Sequence, residues 1–221
     1  MEASYIILFF LAFFIPFLIG TIPVGYILGK MRGVDIRNYG SKSTGGTNVG
    51  RAIGGFYGYL TYIIDGLKAY ITVTLLLNIF FLTATEDYSY NISFELLQFI
   101  FGVSVVLGNI FNPFLCFHSG KGMATSAGVI LGVSWQVSLI AFPAFAIFYF
   151  ATQIVSVSSI FSVVIAAIAS ATLHHFNIVS IFVIYLCVSI LPIILFSHRE
   201  NIKRLAKGEE SMPMFKKNPS N

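Results

Sequence analysis

The sequence predicts an all-α integral membrane protein with seven transmembrane helices, its N-terminus outside the cell and its C-terminus in the cytoplasm. Of its 221 residues, 57% are hydrophobic and only 10% are charged, whereas soluble domains carry about 25% charged residues. Several apolar runs approach the ~20 residues that a helix needs to span a bilayer. They are solid runs of Phe, Ile, Leu and Val, without the alternation of a membrane β-barrel.

Seven apolar stretches are the candidate spans. In chain order they cover about residues 4–28, 55–82, 94–116, 122–139, 137–155, 159–173 and 177–197. The fourth to sixth are short and rich in Gly, Ser and Ala, with a turn near Trp135. We expect one polytopic domain over residues 1–211, followed by a short cytoplasmic tail over residues 212–221.

The basic residues indicate how the chain is oriented in the membrane. Of 13 lysines and arginines, only Lys68 lies within a candidate span. The others fall in three basic clusters, residues 30–51, 118–121 and 199–217, and the acidic residues between 86 and 95 fall in a loop without basic residues. By the positive-inside rule, the three clusters face the cytoplasm. The net charge of +4 is therefore interpreted as a topology signal, and no nucleic-acid partner is predicted.

The core of the first basic cluster combines glycines, hydroxyls and amides with two arginines. Its core runs from Asp35 to Arg51 and includes Ser41, Thr47 and Asn48. Glycines let exposed backbone N–H groups approach an anion, and arginine offers phosphate a bidentate fork. We interpret this segment as a phosphate-binding loop; the alternative is a flexible linker that carries positive-inside charge.

The second basic cluster places a lysine between glycines at the start of a predicted helix. The segment reads Ser119-Gly120-Lys121-Gly122 and continues to Thr125. An ammonium group and a helix N-terminus together favour an anion. The segment is not a Walker A loop, which would need glycine at Leu115 and a hydroxyl residue at Gly122.

The third basic cluster begins where the last span ends. With helical spacing, His198, Asn201 and Leu205 share one face, so we expect Leu205 to pack while His198 and Asn201 face a site. The alternative is an amphipathic helix that binds lipid headgroups.

Two ionisable residues inside the second span are predicted to pair. Asp65 and Lys68 lie three residues apart on one helical face, and charges within a bilayer are costly unless they are paired. We favour a structural ion pair over a proton relay.

Cys116 and Cys187 lie in apolar runs and are predicted to be core residues. No grouping of Cys, His and carboxylates has metal-site spacing, so no metal is predicted.

Together, the three basic clusters predict a phosphate-binding cleft that is open to both the cytoplasm and the bilayer. Such a site suits a reaction between a soluble phosphate ester and a lipid-soluble partner. The sequence has no Ser-His-Asp pattern and no paired carboxylates, which favours catalysis by positioning and charge stabilisation. The alternative is a membrane transporter of a small phosphate ester, which would place polar groups near the bilayer midplane.

The three clusters resemble, in order, the motifs of the bacterial acyl-phosphate:glycerol-3-phosphate acyltransferases, the PlsY family. The matching residues are Gly20-x-Ile22-Pro23-x-Gly25, Gly29-Lys30, Asp35-Ile36-Arg37, Gly40-Ser41, Gly45-x-Thr47-Asn48 and Arg51, then Gly120-Lys121-Gly122-x-Ala124-Thr125, then His198-x-x-Asn201-Ile202-x-Arg204-Leu205-x-x-Gly208-x-Glu210. The resemblance implies seven transmembrane helices and an active site on the cytoplasmic face of the bacterial inner (plasma) membrane.

The resemblance also implies an activity. Such enzymes move a fatty acyl group from acyl phosphate to the 1-hydroxyl of sn-glycerol 3-phosphate, which gives lysophosphatidic acid and phosphate at the first step of phospholipid synthesis. The implied reaction is substrate-assisted, with no covalent enzyme intermediate and no cofactor. The expected partners are glycerol 3-phosphate, acyl phosphate, bilayer lipid and the enzyme that makes acyl phosphate.

The resemblance implies three kinds of role for individual residues. The catalytic residues, which hold the substrates, would be Ser41, Arg51, Lys121, His198 and Asn201. The other substrate-binding residues would be Thr47, Asn48, Ser119, Gly120, Gly122, Thr125, Ser156 and Ser158. Structural support would come from Asp65, Lys68 and Glu210.

The chain departs from the family pattern at several positions. Asn109 stands where histidine is usual, and Ser119 replaces the first glycine of Gly-Gly-Lys-Gly. The phosphate-binding cations Arg51 and Lys121 are retained. The other departures are Lys42 and Ser43 for Gly-Asn, Gly46 for Ala, Ala69 for Gly and Gln153 for a basic residue.

Overall fold

The described part of the chain is helical. The computed structural model describes residues 2–86, 92–117 and 119–210, and in these ranges it contains eleven α-helices and no strand. They are α1 (Glu2–Gly20), α2 (Val24–Met31), α3 (Gly46–Ile53), α4 (Gly55–Ile71), α5 (Leu77–Glu86), α6 (Phe94–Ile110), α7 (Met123–Val133), α8 (Trp135–Thr152), α9 (Val155–His175), α10 (Ile181–Ser197) and α11 (Arg199–Ala206). A π-helical stretch, Thr72–Leu76, joins α4 to α5, and 3₁₀ turns lie at Ile36–Asn38 and Pro113–Leu115. The predicted all-α class is confirmed.

Five helical segments in the described ranges are long and apolar enough to cross a bilayer. They are Tyr5–Met31, Gly55–Thr83, Phe94–Leu115, Trp135–Thr152 and Val155–His175. Helix α10 becomes a sixth if it is counted with α11, which follows it after a 60° bend. Helix α7 has 11 residues, which gives a length of about 16 Å, whereas the bilayer core is about 30 Å thick. Each predicted stretch contains helix, but the count of seven crossings stays a prediction.

Glycines bring two pairs of helices into backbone contact. A Cβ atom on Gly108 of α6 would lie 2.0 Å from the carbonyl oxygen of Phe17 on α1. A Cβ atom on Gly128 of α7 would lie 2.0 Å from the carbonyl oxygen of Gly66 on α4. Small residues at such crossings let membrane helices pack closely. The two contacts hold α6 against α1 and α7 against α4.

A buried apolar cluster centred on α6 forms the core of the bundle. Leu97, Phe101 and Val105 of α6 pack with Val129 of α7 and Ile190 of α10, and all five side chains are buried. A second, smaller cluster joins α7, α8, α9 and α10. Because α6 is packed on several sides, polar residues near its C-terminal end are held in fixed positions.

The predicted ion pair within the second span is confirmed. Nζ of Lys68 lies 2.6 Å from Oδ1 of Asp65. It also donates to the carbonyl oxygens of Gly20, at 3.1 Å, and Ile22, at 2.7 Å. Lys68 thus pairs with a buried carboxylate and binds carbonyl groups left free at the end of α1. The pair ties α4 to α1, which is a structural role.

The prediction that both cysteines are core residues is right for Cys187 and wrong for Cys116. Cys187 is buried in α10, whereas Cys116 is exposed. Cys116 follows the Pro113–Leu115 turn in a left-handed conformation, so it lies beyond the end of α6 and outside the apolar core.

Three predicted features lie outside the described residues: Asp87 of the acidic loop, His118, and the tail over residues 212–221.

Candidate active site

A cavity of about 1060 Å³ brings the three basic clusters together. Its polar end is lined by residues from each cluster, and its apolar walls come from the membrane helices. The predicted site residues in its wall are Ser41, Thr47, Asn48, Arg51, Asp65, Gly120, Lys121, Gly122, Ser156, His198, Asn201 and Glu210. Segments that are far apart in the sequence therefore meet at one site, as predicted.

Asn48 organises the first basic cluster. Its Nδ2 lies 3.1 Å and 3.0 Å from the carbonyl oxygens of Ile36 and Tyr39, and 2.8 Å from that of Ser43. Its Oδ1 accepts a hydrogen bond from the backbone N–H of Ser41 at 3.0 Å. Asn48 therefore shapes the loop that carries Ser41, and its amide is already occupied by the protein.

Asp35 pairs with two cations of the first basic cluster, Arg37 and Lys30. Arg37 donates to its carboxylate through Nε at 3.0 Å and a terminal nitrogen at 2.8 Å, and Lys30 lies 3.2 Å away. The hydrogen bonds from Arg37 hold the pKa of Asp35 below its usual range. Both cations also lie over the ring of Tyr26, a cation–π arrangement. Neither cation is in the cavity wall, so this group braces the loop.

Arg51 supplies the cavity with a guanidinium group from α3. Burial lowers the pKa of Arg51 below its ordinary value, and the nearby Glu210 and Tyr62 oppose that shift. The group still stays charged, because arginine does not lose its proton in proteins. One turn earlier on α3, Thr47 is hydrogen-bonded to the hydroxyl of Tyr62 on α4. This bond fixes α3, and with it Arg51, against α4.

Lys121 lies in the loop before α7 and reaches the third basic cluster. Its Nζ donates to Oδ1 of Asn201, and its carbonyl oxygen accepts from Oγ of Ser197 at 2.9 Å. Burial lowers the pKa of Lys121 to about 8, although Glu210 opposes the effect. Lys121 is thus a partly desolvated cation that the neighbouring cluster holds at the cavity wall.

Glu210 closes the polar end of the cavity. Its carboxylate accepts hydrogen bonds from Asn201 at 2.6 Å, Arg204 at 2.8 Å and Ser156 at 2.9 Å. Burial opposes its ionisation, but these hydrogen bonds outweigh burial and the pKa of Glu210 lies below its ordinary value. The carboxylate ties α9, α11 and the segment after α11 together.

His198 lies at the bend between α10 and α11. Its side chain is buried, and Nδ1 lies 2.9 Å from the carbonyl oxygen of Ile194, which can only accept. Burial, together with the positive charge of Lys121, lowers the pKa of His198 to about 4. Because the ring is neutral at pH 7 and Nδ1 carries the proton, Nε2 is left as an acceptor. The cavity thereby gains a hydrogen-bond acceptor suited to a hydroxyl.

Three residues predicted to bind substrate do not line the cavity. Ser158 is buried and donates to a carbonyl oxygen one turn earlier at 2.9 Å, because it faces about 200° away from Ser156 on the helix. Thr125 is buried within α7. Ser119 joins two clusters instead, since its carbonyl oxygen accepts from Oγ of Ser43 at 3.2 Å.

The expectation that Leu205 packs while His198 and Asn201 face the site is wrong for Leu205. His198 and Asn201 line the cavity, but Leu205 is 38% exposed. Asn201 and Leu205 lie one turn apart in α11 and share its face, but Leu205 is in the last turn of that short helix and lies beyond the cavity wall.

Other residues of the cavity wall were not predicted. Tyr62 and Ser126 reach it from α4 and α7, and Ser159 and Ser162 reach it from α9. The three-residue spacing from Ser156 through Ser159 to Ser162 is the signal that could have found the two serines. Tyr62 and Ser126 carry no comparable signal in the sequence.

Apolar side chains extend the cavity to the outer surface of the bundle. Ile63 and Leu67 of α4, with Trp135 and Phe142 at α8, line the cavity and are each at least 43% exposed. Side chains that lie both in a cavity wall and on the outside of membrane helices mark an opening to lipid. The site therefore joins a cationic polar end to an apolar groove that faces the bilayer.

The chain has clear relatives among glycerol-3-phosphate acyltransferases. Residues 10–208 match the family model of glycerol-3-phosphate acyltransferase. The enzyme of that name from Aquifex aeolicus (strain VF5) is 34% identical over 211 residues, covering 95% of this chain and 98% of the relative. The enzyme from Staphylococcus carnosus (strain TM300) is 38% identical over 199 residues, covering 89% and 93%.

The fold is similar to that of a solved membrane enzyme. The crystal structure of PlsY (YgiH), an integral membrane glycerol 3-phosphate acyltransferase, in its glycerol 3-phosphate form matches with a TM-score of 0.74 and 32% identity over 95% of both chains. The lysophosphatidic acid form matches with a TM-score of 0.73, at the same identity and coverage. Because one family model spans most of the sequence and one cavity unites the three motifs, the chain belongs to the glycerol-3-phosphate acyltransferase family.

Proposed function

We propose that this protein transfers a fatty acyl group from acyl phosphate to the 1-hydroxyl of sn-glycerol 3-phosphate, releasing lysophosphatidic acid and phosphate. The cavity carries the proposal, because it joins Arg51 and Lys121 to an apolar groove between membrane helices. Cations suit the phosphates of both substrates, and the groove suits an acyl chain. Membership in the family supports glycerol 3-phosphate as the acceptor and phospholipid synthesis as the process.

The substrate phosphates would bind at the polar end of the cavity. Ser41, Arg51 and Lys121 bind them, and the backbone of Gly120–Gly122 cradles the acyl phosphate. Glycerol 3-phosphate would be held at the bend between α10 and α11. There, Nε2 of His198 accepts a hydrogen bond from a glycerol hydroxyl, and Nδ2 of Asn201, which gives one proton to Glu210, donates its second proton to the substrate.

The reaction needs no protein nucleophile. The 1-hydroxyl oxygen attacks the acyl carbonyl carbon, the bond from that carbon to the phosphate oxygen breaks, and the departing phosphate takes the hydroxyl proton. Arg51 and Lys121 stabilise the charge on the phosphate groups. With a pKa of about 4, His198 is a weak base at pH 7, which supports proton transfer to the substrate's own phosphate.

We place the polar end of the cavity on the cytoplasmic side of the bacterial inner membrane. The positive-inside rule supports this orientation, because each of the three basic clusters contributes to that end. Seven crossings would put the N-terminus outside and the C-terminus in the cytoplasm. Glycerol 3-phosphate then enters from the cytoplasm, and acyl phosphate, from the enzyme that makes it, enters through the bilayer.

The test is acyl transfer by the purified protein in a lipidic medium. The assay supplies labelled glycerol 3-phosphate with either acyl phosphate or acyl-CoA as donor. We expect labelled lysophosphatidate from acyl phosphate and none from acyl-CoA. Product from acyl-CoA alone would overturn the donor assignment. A folded protein that makes no product from either donor would overturn the reaction, and a flux assay in vesicles would then test transport of a small phosphate ester.

Arg51→Ala should lower kcat/KM about 10- to 100-fold, because a charge-assisted contact with phosphate contributes about 1.5–3 kcal/mol. Arg32→Ala is the matched control, because Arg32 is exposed and is not in the cavity wall. It removes the same charge from the same basic cluster and should keep wild-type kinetics. A kcat/KM for Arg51→Ala equal to that of the wild type would contradict the site assignment.

A further inference from the structure

Two asparagines near the C-terminal end of α6 are buried, but they differ in their hydrogen bonds. Nδ2 of Asn112 donates to the carbonyl oxygen of Thr21 at 2.6 Å, and its Oδ1 accepts from the backbone N–H of Phe114 at 3.0 Å. Asn109 is 5% exposed, and its side chain has no hydrogen bond to any residue that the structure describes. Its amide atoms are not among the buried side-chain atoms that lack a partner, because Asn109 lines the cavity, so the unpaired amide is accessible to a ligand there.

The position of Asn109 indicates where that ligand would bind. Asn109 lines the cavity beside Gly120, Lys121 and Gly122. A Cβ atom on Gly120 would lie 2.6 Å from Oδ1 of Asn109, so the absence of a side chain at Gly120 makes room for the amide. The amide therefore stands directly against the loop that carries the ammonium group of Lys121.

Asn109 is also held rigidly, as a binding residue should be. The preceding residue, Gly108, packs against the backbone of α1 at Phe17. A Cβ atom on Gly20 of α1 would lie 3.0 Å from the backbone nitrogen of Asn109. A group fixed on a packed helix holds its position before a ligand arrives, so binding does not have to order it.

We propose that Asn109 is a further binding residue for acyl phosphate. The phosphate group lies over Gly120–Gly122 and accepts a hydrogen bond from Nδ2 of Asn109. This assignment rests on the proposed function. An ionised phosphate offers only acceptors, so it complements an unpaired NH₂ group, and Lys121 supplies the compensating charge. Because an amide does not titrate, Asn109 itself adds no pH dependence to this contact.

The kinetic test compares Asn109→Ala with Asn112→Ala. Asn109→Ala removes an amide without an internal partner, so its melting temperature should stay close to that of the wild type. Asn112→Ala removes two internal hydrogen bonds and should melt several degrees lower. Asn109→Ala should raise the KM for acyl phosphate about 10-fold or more, with the KM for glycerol 3-phosphate unchanged.

A binding measurement separates this proposal from the proposed function. Inorganic phosphate should raise the melting temperature of the wild-type protein, raise that of Asn109→Ala less, and leave that of the isosteric Asn109→Asp unchanged. A wild type that forms no product but shows this dependence on Asn109 would overturn the reaction and support the phosphate contact.

Three results would overturn the role of Asn109. The first is a wild-type KM for acyl phosphate together with a wild-type phosphate shift in Asn109→Ala. The second is a rise only in the KM for glycerol 3-phosphate. The third is a melting temperature as low as that of Asn112→Ala, which would show that the amide is structural.

Discussion

At the residue scale, the buried ammonium group of Lys121 makes the activity depend on pH. Burial brings its pKa down to about 8, so this lysine loses its proton at a lower pH than an exposed lysine. A neutral amine holds phosphate less well, and we expect kcat/KM to fall as the pH rises through about 8. A pH–rate profile from neutral to alkaline pH measures the fall.

Lys121→Arg is the matched variant, because a guanidinium group stays charged across that range. It should lose the alkaline fall whatever its absolute activity. His198, with a pKa of about 4, stays neutral in the same range and adds no second transition. A wild-type profile that stays flat through the pKa of Lys121 would contradict its role.

The sequence indicates which residues lie at the site, but not their pKa values or their hydrogen-bond partners. Arg51, Lys121, His198 and Asn201 all lie in the cavity wall, as predicted. The pKa values of Arg51, Lys121 and His198 depend on burial and on charged groups remote in the chain, and Glu210 acts on all three. For the same reason the free amide of Asn109 could not be foreseen, since only packing decides which amide is left without a partner.

At the element scale, the crossing of α4 and α7 depends on Gly128. A methyl group there would lie 2.0 Å from the carbonyl oxygen of Gly66, so Gly128→Ala must push the two helices apart. We expect a loss of about 1–3 kcal/mol of stability. Activity should fall as well, because α7 carries the loop of Lys121 at its N-terminus. Thermal unfolding in detergent measures the loss of stability.

Gly66→Ala is the matched control at the same crossing. Its Cβ atom would lie 3.4 Å from the carbonyl oxygen of Ala124, which is ordinary van der Waals contact, and alanine favours helix more than glycine does. The melting temperature of Gly66→Ala should equal or exceed that of the wild type. Equal melting temperatures for Gly66→Ala and Gly128→Ala would show that close approach at Gly128 does not hold the crossing.

Helix positions are predictable here because apolar length is a local property of the sequence. The predicted turn near Trp135 is confirmed one residue away, at Ser134, which ends α7 and whose Oγ caps α8 by accepting from the backbone N–H of Val137. The bend at His198 was not predicted. It depends on how α11 packs, with Asn201 bonded to Glu210, and such contacts leave no periodic signal in the sequence.

At the scale of the whole molecule, the charge distribution predicts which ends of the helices face the cytoplasm. Lys207, just after α11, would lie inside, and Ser93, just before α6, would lie outside. We expect Lys207→Cys to react with a membrane-impermeant maleimide only in inside-out vesicles. Ser93→Cys should react only in right-side-out vesicles.

The labelling needs a background without the exposed native thiol. Cys116→Ser provides it, because Cys116 is exposed whereas Cys187 is buried. The unmodified background should stay unlabelled from both sides. Labelling of Ser93→Cys and Lys207→Cys from the same side would exclude an odd number of crossings between the two positions.

The apolar groove between α4 and α8 has a consequence for how the two substrates are diluted. A donor that reaches the site through the bilayer is diluted by lipid, and an acceptor that arrives from water is diluted by buffer. Adding inert lipid at a constant amount of donor would then slow the reaction. Adding buffer would change only the concentration of the acceptor. The natural unit for the donor is its mole fraction in the membrane, so its surface density, and not its bulk concentration, sets the rate.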